Sequence, residues 1–134
     1  MALYMLDTDT VSYLIRGRSA ALDARVAATP AKRLCISAVT RGELLYGLHL
    51  KDGAHRLAQL VDQVLQRLSC LPWDAAAATR FAQVAATLHK AGTPIGSMDA
   101  MIAGHAGAVG AVLVTNNSRH FTRVDGIVVE SWCG

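Results

Sequence analysis

The chain has 134 residues, of which 52% are hydrophobic and 17% charged, and its formal net charge is +3. This length predicts a single domain over residues 1–134, and the low charged fraction excludes an intrinsically disordered chain. Three widely spaced cysteines exclude a disulfide framework or a zinc ribbon, and the sequence shows neither a long apolar stretch nor a recognisable signal peptide, so we expect a cytoplasmic protein with no membrane contact.

Short apolar runs alternate with helical patterns along the whole chain. In chain order they predict a strand at 3–6, a short helix ending near residue 15, a helix at 19–28, a strand at 34–36, helices at 38–50 and 53–68, a brief strand at 71, helices at 74–90 and 98–108, and strands at 111–114 and 127–129. Strands that alternate with helices are typical of a parallel sheet covered on both faces. The expected fold class is therefore α/β.

Polar residues follow several of the predicted strands. Residues 8–10 offer caps for the first helix, with Asp9 favoured, and Ser37 is placed to cap the helix that follows the second strand. In parallel sheets, functional groups gather just beyond the carboxyl ends of the strands. This rule selects Asp7, Ser37 and the polar loop 115–117 as the region where chemistry is expected.

Three carboxylates occupy positions where an apolar side chain is expected. Glu43 lies within an apolar helix stripe, Asp99 shares a helix face with apolar residues, and Asp7 ends a buried strand. Taken singly, each has an ordinary explanation, namely escape to solvent for Glu43, a favourable helix dipole for Asp99 and a helix cap for Asp7. Together they require compensation, because burying unpaired charge is costly.

A hard divalent cation is the simplest compensation for these acids. The segments around Asp7 and Asp99 carry no lysine or arginine at close helical spacing, and Arg41 lies on the opposite side of its helix from Glu43. Mg²⁺ prefers oxygen ligands, Mn²⁺ fits the same donors, and no histidine or cysteine lies at a spacing typical of zinc. We hypothesise that the three acids bind Mg²⁺ or Mn²⁺, which activates water to attack a phosphodiester.

Four segments of the chain carry a resemblance to a known family. They read YMLDTDT, CISAVTRGELLYG, GTPIGSMDAMIAGHA and LVTNNSRHFTRVDGIVVESW. Together, and in this order, they resemble the PIN-domain ribonuclease toxins called VapC, of type II toxin–antitoxin systems. The resemblance implies an α/β/α sandwich with a central parallel sheet, a metal-dependent endoribonuclease activity, a homodimer, and a small cognate antitoxin of the VapB type.

The same resemblance implies roles for individual residues. The metal-binding and catalytic acids of the family fall on Asp7, Glu43 and Asp99, and its polar fourth catalytic position falls on Asn117. Many PIN domains carry an aspartate at that fourth position, and an amide does not neutralise a second cation, which favours a single ion. Asn116 and Thr115 are expected to support the site.

The resemblance also implies an RNA substrate. Similar enteric VapC toxins cut the anticodon stem-loop of initiator tRNA, and that tRNA is the expected substrate here. A folded RNA is recognised largely through phosphate and 2′-OH contacts. The basic candidates for such contacts are Arg16, Arg18, Lys32, Arg33, Arg41, Arg119, His120 and Arg123.

Two other interpretations fit parts of the sequence. The segment YMLDTDTV also matches the D-x-D-x-T opening of haloacid-dehalogenase phosphatases, in which Asp7 would be the nucleophile and Asp9 the acid/base. The chain is short for that class, however, and for the lysine and acidic pair that such enzymes need downstream it offers only Lys32, Lys51 and Lys90 and, beyond Asp99, Asp125 and Glu130. The second alternative is a non-catalytic PIN-like module that binds RNA or a partner without cleavage.

Overall fold

A computed structural model describes all 134 residues of the chain. The strands are β1 (Tyr4–Leu6), β2 (Leu34–Ser37), β3 (Ser69–Leu71), β4 (Val112–Val114) and β5 (Val128–Glu130). The helices are α1 (Thr8–Arg16), α2 (Ala20–Ala28), α3 (Ala38–His49), α4 (His55–Arg67), α5 (Ala75–Lys90), α6 (Ser97–Val109) and α7 (Ser118–Phe121). All strands are parallel and form one sheet in the order β3-β2-β1-β4-β5, which confirms the expected α/β class.

The sheet separates two hydrophobic cores, because successive strand residues point to opposite faces. In β1, Leu6 belongs to the core formed with α1, α2 and α4, whereas Met5 belongs to the core formed with α5 and α6. The central strands β2 and β4 alternate in the same way. Both faces are therefore covered, and the expected α/β/α sandwich is confirmed.

Side-chain caps fix where several helices begin. Ser19, Ser37 and Asp74 each accept a backbone N–H from the first turn of the helix that follows them. Such a cap satisfies one of the amide groups that have no partner within the helix. The cap predicted at Ser37 is thus confirmed, and it ties the start of α3 directly to the end of β2.

The cap of α1 is Asp7, and the assignment of that role to Asp9 was wrong. Asp7 Oδ1 accepts the backbone N–H of Thr10 at 2.9 Å. The strand ends at Leu6, so the extended conformation that a cap requires falls on Asp7 (φ −75°, ψ 172°). Asp9 lies instead in the first turn of the helix, with its side chain exposed.

Helices α5 and α6 pack closely because a glycine lies between them. A Cβ atom placed on Gly104 of α6 would lie 2.6 Å from both the Cα and the backbone nitrogen of Phe81 in α5. Real side chains do not tolerate that distance, so only glycine permits this separation of the two helices. The contact fixes the position of α6, the helix that carries Asp99.

The segment after β4 departs from its expected loop conformation. Residues 115–117 are irregular, but Ser118–Phe121 forms the short helix α7. Phe121 is fully buried and Val124 is 6% exposed, so both anchor the segment to the core. None of the seven helices is long and apolar enough to cross a membrane.

Candidate active site

Asp7 is held rigidly at the carboxyl end of the central strand. Its side chain is 2% exposed, and its backbone N–H donates to the carbonyl of Val114 at 3.0 Å. Burial raises the pKa of Asp7, whereas hydrogen bonds from the Thr115 side chain and from the backbone and side chain of Thr10 oppose the rise. The fold thus holds a nearly buried carboxylate that forms no salt bridge with a basic side chain.

Glu43 reaches the same edge of the sheet from helix α3. Its side chain is half-buried, and Oε1 accepts the hydroxyl of Thr8 at 2.6 Å. The Thr8 hydroxyl also lies 3.2 Å from the hydroxyl of Thr40, which is fully buried. Because Thr8 follows Asp7 directly, this contact joins the two acids through one short segment.

Asp99 completes the group from the first turn of α6. Burial raises the pKa of Asp99, and the negative charges of Asp7, Glu43 and Asp9 raise it further. The charge of His120 in α7 acts in the opposite direction. Asp99 therefore lies within electrostatic range of both Asp7 and Glu43, although the three carboxylates come from separate segments of the chain.

Asp9 also faces this edge and is linked to the loop after β4. The amide Nδ2 of Asn116 donates to Asp9 Oδ2 at 3.2 Å. The Oδ1 atom of Asn116 is buried and has no hydrogen-bond partner. Thr115 is fully buried, and its hydroxyl accepts the backbone N–H of Asn117 at 3.0 Å. These contacts hold the loop beside the acids and leave the side chain of Asn117 exposed.

The sequence favoured a helix cap for Asp9 over holding a ligand or water, whereas the structure places its side chain beside the loop after β4 and near Asp99. Its position two residues beyond the cap, with Asn116 opposite, depends on the pairing of β1 with β4. A weak indication was present in the sequence, since Asp9 lies two residues from Asp7 at the end of a buried strand. That spacing alone does not distinguish a second acid of the site from a cap.

The donor set fits a hard divalent cation. The only salt bridge in the structure joins Arg25 to Glu130, so no lysine or arginine pairs with the clustered acids. No group of three or more acidic, histidine or cysteine side chains is close enough to enclose a metal ion directly. Mg²⁺ retains several waters and uses one or two carboxylates, so a hydrated ion does not need a full cage of protein ligands. Zinc, which prefers histidine and cysteine, does not fit.

The raised pKa values predict a pH-dependent response to metal. The pKa values of Asp7 and Asp99 are raised above their ordinary value of 3.8, so the protonated carboxyls stabilise the folded state at low pH. This stabilisation is lost as the pH rises through the folded-state pKa. Cation binding requires ionised carboxylates and removes their repulsion. We expect Mn²⁺ to raise the melting temperature more at about pH 7.5 than at about pH 5.5, measured by scanning calorimetry.

The Asp99→Asn variant is the control for this pH measurement. It removes one of the two perturbed carboxyls, so the increase in melting temperature is expected to be small at both pH values. An increase in the parent protein that is equal at the two pH values would contradict the coupling between these carboxyls and the cation.

The basic candidates fall on different sides of the molecule. Lys32 and Arg33 precede β2 and lie at the amino end of the sheet, opposite the acids, and Arg33 Nε donates to the carbonyl of Ala2 at 2.8 Å. Any RNA contact made by these two residues would therefore lie away from the acids. Arg119 and His120 follow the loop after β4, and both are exposed.

A polar cavity lies next to the acids. It measures about 220 Å³ and has no hydrophobic residue in its lining, which consists of Asn116, Asn117, Ser118, Arg119 and His120. Neither Arg119 nor His120 forms a salt bridge. The cavity therefore places two unpaired basic side chains and two amides beside the carboxylates.

Comparison with known proteins decides the family. The PIN domain family model matches residues 4–127. Over 133 residues, 99% of this chain and the whole of the relative, the sequence is 41% identical to a protein of Salmonella typhimurium named tRNA(fMet)-specific endonuclease VapC. It is 36% identical over 132 residues to Ribonuclease VapC2 of Haemophilus influenzae, covering 98% of this chain and 99% of that protein. The chain belongs to the VapC family of PIN-domain ribonucleases.

The fold agrees with this assignment. The structure superposes on a chain in the crystal structure of DNA-bound VapBC from Salmonella typhimurium with a TM-score of 0.92 and 41% identity, over 99% of this chain and all of the other. PIN-domain nucleases are metal-dependent hydrolases, so this VapC family member is a metal-dependent ribonuclease. Neither the phosphatase interpretation nor the non-catalytic one is supported by these relatives.

Proposed function

We propose that this VapC family member is the toxin of a type II toxin–antitoxin pair and cleaves tRNA with Mg²⁺, at the anticodon stem-loop of initiator tRNA. The observation that carries the proposal is the group of Asp7, Glu43 and Asp99 at one sheet edge with no basic partner. The substrate follows from the relatives named tRNA(fMet)-specific endonuclease VapC, which are 41% and 39% identical to this chain.

Asp7, Glu43 and Asp99 would hold the ion, and each is positioned by the fold in a different way. Asp7 is fixed by its cap bond to Thr10, Glu43 by the hydroxyl of Thr8, and Asp99 by the packing of α6. When bound, Mg²⁺ activates water for attack on the phosphodiester and neutralises charge that develops on the phosphate. Mn²⁺ would substitute because it accepts the same oxygen donors.

The loop after β4 would orient the substrate beside these acids. Thr115 fixes the loop through the backbone of Asn117, and the exposed amide of Asn117 is free to bind a phosphate oxygen or the attacking water. Asn116 supports this arrangement through Asp9. Because Asn117 carries no charge, the fourth position does not add the negative charge that a second cation needs, and we propose a single ion.

The polar cavity beside the acids would accept the RNA backbone. Arg119 and His120 are exposed and form no salt bridge, so they are available for phosphate contacts. Contacts to phosphate release bound counterions, which makes affinity fall steeply with salt. RNA bound through this cavity would lie with a phosphate close to Asp99.

The antitoxin and a second copy of the chain are the proposed protein partners. The similar structure from Salmonella typhimurium is described as VapBC bound to DNA, and that from Rickettsia felis as VapBC2, at 30% identity. Tyr46 on α3 and Leu50, which follows the helix directly, are each 67% exposed and lie four residues apart, an arrangement that offers apolar surface to a partner. We propose a VapB-type antitoxin as the inhibitor and a homodimer of this chain.

Cleavage of defined tRNAs tests the proposed function. The purified chain is expected to cut initiator tRNA in the anticodon stem-loop when Mg²⁺ is present, and to leave elongator methionine tRNA largely intact. EDTA should abolish the reaction, because without a cation nothing at the acids neutralises the charge that develops on the phosphate. Equal cleavage of both tRNAs would overturn the substrate assignment, and cleavage that is indifferent to EDTA would overturn the role of the metal.

A further inference from the structure

One of the five histidines lies in the interior of the protein. His105 in α6 is 1% exposed, whereas His49, His55, His89 and His120 are all exposed. Its Nδ1 lies 2.8 Å from the hydroxyl oxygen of Ser37, which is itself fully buried. A buried hydrogen bond between two side chains 68 positions apart in sequence joins separate elements of the fold.

This hydrogen bond joins the two helices that carry Glu43 and Asp99. Ser37 ends β2 and caps α3, with its hydroxyl oxygen accepting the backbone N–H of Val39 at 3.1 Å. Glu43 lies six residues after Ser37, and Asp99 lies six residues before His105. Since a helix rises 1.5 Å per residue, each acid is about 9 Å along a rigid helix from this contact.

The opposite side of α6 is already fixed by close packing. Gly104, next to His105, lies against the backbone of Phe81 in α5. That contact sets the distance between α5 and α6, but it makes no connection to α3. The hydrogen bond of His105 supplies the connection toward β2 and α3.

We propose that His105 is a positioning residue that, through Ser37, sets the spacing between Asp99 and Glu43 and so the affinity of the site for its cation. This role rests on the proposed function, because it concerns the contact that aligns the acids of the proposed metal site. Burial lowers the pKa of His105, and the charge of Asp74 acts in the opposite direction. A neutral ring satisfies the contact without the cost of a buried charge.

Two substitutions of His105 separate this role from simple packing. The amide of His105→Asn places a polar atom where Nδ1 lies, whereas the amide of His105→Gln reaches the position of Nε2. Packing alone predicts that glutamine, which is closer to histidine in volume, is tolerated better. The proposal predicts the reverse order for metal affinity.

The measurement is the dissociation constant of Mn²⁺, followed by electron paramagnetic resonance on the full chain without RNA. We expect His105→Gln to raise this constant on the order of 10-fold and His105→Asn to stay close to the parent. Equal loss in both variants, or no loss in His105→Gln, would overturn the proposal. Mn²⁺ affinity is read without cleavage, so a chain that fails to cut tRNA would overturn the proposed function and leave this measurement valid.

Substitutions of two capping serines provide a second test if the histidine variants fold poorly. Ser37→Ala removes both the cap of α3 and the partner of His105, whereas Ser19→Ala removes the cap of α2, in which the structure places no acid of the site. Both variants lose a helix cap and are expected to melt at lower temperature. Only Ser37→Ala should weaken Mn²⁺ binding, and an equal effect in Ser19→Ala would contradict the proposal.

Discussion

Replacement of Asp99 by asparagine is expected to lower the rate of RNA cleavage by about a thousandfold, which corresponds to roughly 4 kcal/mol in the activation barrier. The substitution preserves the shape of the side chain and removes the charge that would hold the cation. Asp7→Asn should have a similar effect while keeping the cap of α1, because asparagine is as good a cap as aspartate. Single-turnover cleavage of labelled initiator tRNA measures both variants.

The thermal stability of the Asp99→Asn variant without a cation should rise, although its rate of cleavage falls. The pKa of Asp99 is raised, so its ionised form opposes folding at neutral pH when no cation is bound. Asp99→Asn is therefore expected to melt at a higher temperature than the parent in EDTA, while its rate of cleavage falls. The matched control is Asp23→Asn on α2, an exposed acid that makes no contribution to the pKa of Asp7 or Asp99. Comparable loss of cleavage in the control would show that the effect is not specific to the site.

Gly104→Ala is expected to be the most destabilising single-methyl change in the molecule. Its Cβ would lie 2.6 Å from the backbone of Phe81, which cannot move without separating α5 from α6. Overpacking of this kind costs about 3 kcal/mol, and the melting temperature of a domain of this size should fall by about 10 °C. Thermal unfolding followed by circular dichroism gives both values.

Gly42→Ala is the matched control for that substitution. Gly42 is also helical, but a Cβ atom there meets nothing within 4 Å. Alanine favours the helical backbone over glycine, so this variant should be more stable than the parent by about 0.5–1 kcal/mol. A Gly104→Ala protein as stable as Gly42→Ala would contradict the close packing of α5 against α6.

The sequence predicts most of the fold because its strands and helices differ clearly in their hydrophobic patterns. All five strands were placed within one or two residues of where they lie, and the cap at Ser37 was assigned correctly. The short helix α7 was missed, since four residues are too few for a helical period to be recognised. Asp9 was assigned the wrong role because residues 7–9 carry three side chains that can cap a helix, and the sequence alone does not show that α1 begins directly after Asp7, at Thr8.

The candidate acids could be named from the sequence, but their relation to one another could not. Asp7, Glu43 and Asp99 stood out as charges among apolar residues, and their roles in metal binding and catalysis stay proposals. The pattern gave no indication that His105 bonds to Ser37, because a buried histidine and an exposed one look alike in a helix of small residues. Nor did it separate Arg33, at the amino end of the sheet, from Arg119 beside the acids.

By itself, the sequence determined the alternation of strands and helices, the two apolar faces of the sheet and the choice of candidate acids, since each depends on hydrophobic periodicity or local conformation. The tertiary structure alone decided which helices approach closely, which polar groups meet across the sheet edge and which basic residues lie near the acids. Those relations arise between segments tens of residues apart, where strand order and packing set the distances and local pattern carries no information about them.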